Sequence, residues 1–102
     1  MSSLEQGDKI AAAGAIGPRV TLDGMKAKIK SEEYYNPSFA PHVTICVLGV
    51  ENGFVLVGHS APADPANFDV DKGRMFAKDD ALRKLWTLEG YLLRQKLYSN
   101  EI

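Results

Sequence analysis

The side chains with the most chemical promise lie between His59 and Arg74. His59-Ser60, with Asp64 close behind, has the residue types of a nucleophile, a base and an orienting acid. Such a set works only when its members share hydrogen-bond reach. Neighbouring strand residues point to opposite faces, so His59 and Ser60 cannot address one another, and the pair reads as a polar strand end. His42, Cys46 and His59 could put two or three metal ligands on one face of a hairpin. None of the paired spacings of a structural zinc site is present, and a buried cysteine beside a sheet-end histidine is the plainer reading. Gly49, Gly53 and Gly58 lack the strand-loop-helix setting of a phosphate loop. No catalytic residue, metal ligand or cofactor is therefore expected, and the chain is read as a non-enzyme.

Binding is the better prospect. In Asn67-Phe68-Asp69 with Arg74 beyond, Phe68 could stack a base, Asn67 read a polar edge and Arg74 meet a phosphate. The plainer alternative has Phe68 plugging the core, Asn67 forming a turn and Asp69 capping a helix. Tyr34, Tyr35 and Arg83 complete the candidate ligand-binding set, with Lys84 and Arg94 as weaker members. Trp86 and Tyr91 read as core or interface anchors.

The elements that must position these groups centre on His42–Ser60. Asn52-Gly53 between two β-branched runs predicts a hairpin with a type I′ turn. That turn pairs Val50 with Val55, Leu48 with Val57 and Cys46 with His59. Both faces come out apolar, so helices can cover one and a second subunit the other. Upstream, Thr21 caps a helix along Leu22, Met25 and Ile29 that is expected to end near Glu33. Residues 34–41 could add a short edge strand. Residues 1–18 read as a flexible N-terminal arm, with at most a helical turn at Ile10, and 19–102 as a single domain. Downstream, Asp64-Pro65 starts a 3₁₀ turn and Asp69 caps a long helix whose stripe is Val70, Gly73, Ala77, Ala81 and Leu85. A bend at Trp86-Thr87 is expected to begin a last helix along Leu88, Tyr91 and Leu92. The fold class is α+β: an N-terminal helix, an antiparallel β-hairpin of two to three strands, then two C-terminal helices packed on the sheet.

Composition sets the outer limits. A chain of 102 residues with 45% hydrophobic and 25% charged residues is an ordinary globular domain. A net charge of -1 gives no basic surface for nucleic acid, and no DNA partner is expected. One cysteine allows no internal disulfide and fits a reducing compartment. No run approaches the length of a membrane span, and no membrane partner is expected.

A resemblance adds to this. Pro18-Arg19-Val20-Thr21-Leu22, Ser31-Glu32-Glu33-Tyr34-Tyr35, Thr44-Ile45-Cys46-Val47-Leu48, Asn52-Gly53-Phe54, Val57-Gly58, Asn67-Phe68-Asp69, Gly73-Arg74, Lys84-Leu85-Trp86 and Leu88-Glu89-Gly90-Tyr91-Leu92-Leu93 recur in order. They resemble a family of small tailed-phage and prophage proteins, the phage Gp forty-nine / gene sixty-six family. Thr87 stands where that pattern has proline, and Pro62 where it has cysteine. The resemblance implies a phage accessory gene product acting in the cytoplasm of the bacterial host. The expected function is counter-defence without catalysis, by an oligomeric sponge, at least a dimer, that sequesters a nucleotide-type immune signal such as a cyclic nucleotide or cyclic ADP-ribose-like molecule. The alternative is a protein-protein inhibitor or adaptor acting on a host protein.

Overall fold

The most apolar segment takes the centre. β2 (Thr44–Val50) lies between β1 (Ile29–Tyr35) and β3 (Val55–Ser60) in a three-stranded antiparallel sheet. The computed structural model describes residues 3–101. Before the sheet come α1 (Ser3–Gly14) and α2 (Leu22–Ala27); after it come a 3₁₀ turn (Pro65–Asn67) and α3 (Val70–Glu101). The α+β class and the order of helix, antiparallel sheet and C-terminal helix are those the sequence implies.

α3 crosses the sheet at close range because its contact stripe is small. Gly73, Ala77 and Ala81 are buried against the strands, with Leu82 and Leu85 continuing the contact. From the sheet, Cys46, Leu48, Val50 and Leu56 complete the core, with Met25 and Leu22 of α2 and Leu4 of α1 at its margin. Burial pushes the Cys46 thiol above its ordinary pKa, so it behaves as a small apolar side chain. The other sheet face carries Tyr35, Ile45, Val47, Val55 and Val57, and no described element covers it.

Four local expectations are corrected. The hairpin turn is the first. Val50 N–H bonds the Phe54 carbonyl at 2.8 Å, which leaves a three-residue loop, Glu51-Asn52-Gly53. Only Gly53 has positive φ, at 92°, while Asn52 Oδ1 accepts from Phe54 N–H at 3.0 Å. A left-handed glycine after an ordinary turn places the single strained position on the residue without a Cβ. Leu48 therefore faces Leu56, Cys46 faces Gly58, and Ile45 faces His59. This shift turns His59 away from Cys46 and ends the suggested ligand group. Among the described residues, no set of three or more His, Cys, Asp or Glu side chains could hold a metal ion.

The second correction concerns the helix after Thr21. The cap holds, with Thr21 Oγ1 accepting from Gly24 N–H at 3.0 Å, but the helix ends at Ala27 and Ile29–Tyr35 becomes β1. Beyond Met25 only Ile29 extends the apolar stripe, whereas a strand puts Ile29 and Tyr34 on the covered face and pairs the free edge of β2. Third, α3 is one helix of 32 residues. Thr87 caps nothing: its hydroxyl donates to the Arg83 carbonyl one turn back, at 3.3 Å. Fourth, where an arm is expected, Ser3–Gly14 is helical. Residues 1 and 2 lie outside the described part. Leu4 anchors α1 in the core, and the Asp8 carboxylate accepts from Arg19 Nη1 at 2.8 Å and Leu22 N–H at 3.1 Å. These bonds hold Asp8 below the ordinary carboxylate range, the Arg19 bond first. One leucine and one aspartate leave no periodic signal in a chain so rich in alanine and glycine.

Candidate functional site

The segment between β3 and α3 is built from caps. Asp64 Oδ1 accepts from Ala66 N–H at 2.9 Å and starts the 3₁₀ turn, with Pro65 at its first position. Asp69 Oδ1 then accepts from Lys72 N–H at 2.9 Å and starts α3. Ser60 Oγ donates to the Gly73 carbonyl at 2.8 Å, fastening the end of β3 to the first turn of the helix.

These fastenings enclose a groove of about 370 Å³. Ser60, Ala61 and Pro62 form one wall, and Asn67, Phe68 and Asp69 the end. Lys72 and Phe76 of α3 form the other wall. Gly73 makes the floor: a Cβ there would lie 3.2 Å from Phe68 Cε1 and 2.7 Å from Thr44 Oγ1. Phe68 rests half-buried on that floor, while Phe76 remains 53% exposed. Two aromatic rings and an amide around a mostly apolar hollow suit a planar ring, with one cation, Lys72, and one carboxylate, Asp69, in the lining.

The candidate residues from the sequence divide among four places. Asn67 and Phe68 are in the groove. Arg74 is not: its guanidinium lies over the Tyr34 ring, 5.1 Å from the centroid, on the opposite flank of α3. Tyr35 is on the uncovered sheet face, its hydroxyl donating to Glu33. Arg83 donates to Ser3 Oγ of α1. The groove's cation is Lys72, and Phe76 is its second ring. Their signal was their spacing about Gly73, since Lys72 and Phe76 share a helix flank at i and i+4.

The Arg74 flank has its own order. Tyr34 Oη donates to Glu32 at 2.6 Å, and Lys78 Nζ reaches the other Glu32 oxygen at 2.8 Å. Burial and the Glu32 carboxylate push the Tyr34 hydroxyl well above the ordinary phenol range. For Glu32, burial raises the pKa, but the bonds from Lys78 and Tyr34 outweigh it and hold the carboxyl below its ordinary 4.5. A pKa lowered by folding means stability present above the unfolded value and lost as pH falls through the folded one. Glu32→Gln is therefore expected to be less stable than the parent at about pH 6, with a smaller gap at about pH 3, below the unfolded carboxyl's range. Urea unfolding at both pH values checks this.

The hydroxyl of Ser60 is spent on the Gly73 carbonyl, and His59 stands on the other face with its N–H on Asp80. Among the described residues, no helix is long and apolar enough to cross a membrane. Compared with known proteins, residues 20–97 match the family described as phage protein (N4 Gp49/phage Sf6 gene 66). No curated protein and no solved structure gives a significant match.

Proposed function

The chain belongs to the phage protein (N4 Gp49/phage Sf6 gene 66) family, and from that premise we propose a phage accessory protein that binds a nucleotide-type signal without transforming it. The groove between Phe68 and Phe76 carries this reading. A base or similar planar ring stacks against the phenyl groups, Asn67 meets its polar edge and Lys72 meets a phosphate. Sequestering an immune signal in the host cytoplasm, by an oligomer of this chain, is the role such a site would serve.

The test is incubation with a panel of cyclic nucleotides and ADP-ribose-type signals, then heat denaturation and chromatography. Depletion followed by intact recovery is the expected result, and an altered product would mean an enzyme. Phe76→Ala is expected to weaken binding about 5- to 150-fold, the range of one lost base stack. Arg74→Ala, on the far flank, leaves binding unchanged. A second reading, an inhibitor or adaptor for a host protein, is favoured by the uncovered face of Tyr35, Ile45, Val47, Val55 and Val57. No depletion of any panel member, with a host protein retained on that face, would replace the first reading with this one.

A further inference from the structure

The two edges of the sheet are not alike. Val50 and Phe54 form a hydrogen-bonded pair. Antiparallel alternation then turns the main-chain groups of residues 56, 58 and 60 toward β2 and those of 55, 57 and 59 outward. α3 closes that outer edge. Asp80 accepts from His59 N–H at 2.9 Å, and Lys84 donates to the Val57 carbonyl at 2.6 Å. These two side chains block strand addition there.

On the other side, residues 45, 47 and 49 face β1, so 31, 33 and 35 bond inward and Glu32 and Tyr34 turn their N–H and C=O groups outward. By the same alternation Asn36 follows. No described residue bonds these outward groups. The nearby charges are occupied within the chain, Glu32 by Lys78 and Glu33 by Tyr35.

We propose that the outer edge of β1 pairs antiparallel with β1 of a second copy about a two-fold axis at Tyr34. Self-complementarity selects the occupant and the register. The bulge between Ile29 and Ser31 on one side and Pro37 on the other confine pairing to residues 31–36, the last of them one residue past the end of β1. An axis at residue 32 sets Glu32 against Glu32 of the other copy, and an axis at 33 does the same for Glu33; like charges directly opposite are unfavourable. An axis at 34 sets Tyr34 on Tyr34, Glu33 on Tyr35 and Glu32 on Asn36, with no like charges opposed. An axis at 35 brings Glu33 against Pro37 and leaves one bonded pairing fewer. The result joins two three-stranded sheets into one of six strands. This deepens the self-association in the function proposed above and is independent of the groove.

Sedimentation of the intact chain across concentrations reads the association itself, with a dimer expected. Single cysteines at 32, 33, 34 and 35 then read the seam. They are made in a Cys46→Ala background, because Cys46 lies directly across β2 from Tyr34 and would compete. Hydrogen-bonded antiparallel partners sit about 5.5 Å apart at Cα, within disulfide reach. Tyr34→Cys is expected to form a covalent dimer under mild oxidation, with Glu33→Cys and Tyr35→Cys staying monomeric in denaturing gels. Helical circular dichroism confirms that each variant folds. If Glu33→Cys crosslinks best, the register is wrong. A dimer that no folded variant crosslinks would sink the edge proposal while sparing self-association; a monomer at every concentration would sink both.

Discussion

Gly58→Ala is expected to cost about 3 kcal/mol or more, the upper end for one methyl forced into a packed core. The new Cβ would overlap the Ala77 carbonyl oxygen and the Ala81 nitrogen, and would stand 3.0 Å from Ala81 Cα. All three are helix backbone, so no side chain can turn aside and α3 must lift from the sheet. Two other glycines bracket the effect. At Gly73 the added methyl meets the side chains of Thr44 and Phe68, which can yield, and the cost falls to about 1 kcal/mol while the groove floor is raised. At Gly90 nothing lies within 4 Å. Alanine there stabilises the helix by about 0.5–1 kcal/mol. Denaturant unfolding of the three variants should give this order. A Gly58→Ala chain as stable as the parent would mean that α3 and β3 are farther apart than described.

This contact also shows what sequence reveals about the fold. Gly73, Ala77 and Ala81 repeat every four residues, and only close packing explains such a stripe, so the approach of α3 to the sheet was legible. Its partner was harder to find, because Gly58 is one glycine among three in the hairpin region. The candidate site was legible at Asn67 and Phe68 for a similar reason: caps at Asp64 and Asp69 fix the chain between them. Arg74 falls outside the groove because successive helix residues are turned by about 100° around the axis. One residue past Gly73, it points toward β1, where Tyr34 receives it; Lys72, one residue before, points into the groove. The docking of α1 through Leu4 and Asp8 was not legible, since both depend on partners distant in the chain.

The register of the hairpin carries the other large prediction. A two-residue Asn-Gly turn would set Val57 beside Leu48 in the core and leave Leu56 on the opposite face. The three-residue loop ending in Gly53 reverses this: Leu56 is 5% exposed and Val57 is 46% exposed. A slip of one residue exchanges the two faces of a strand, so two adjacent substitutions distinguish the registers. Leu56→Ala is expected to cost about 2–4 kcal/mol through lost burial and the cavity left under α3. Val57→Ala is expected to cost under about 1 kcal/mol, mostly lost strand preference. A domain of this size has roughly 5–15 kcal/mol of stability to lose, so the two should separate cleanly in urea midpoint at one protein concentration. The reverse order would restore the two-residue turn. It would also move Gly58 off the helix face, and with it the close contact on which the Gly58→Ala result depends.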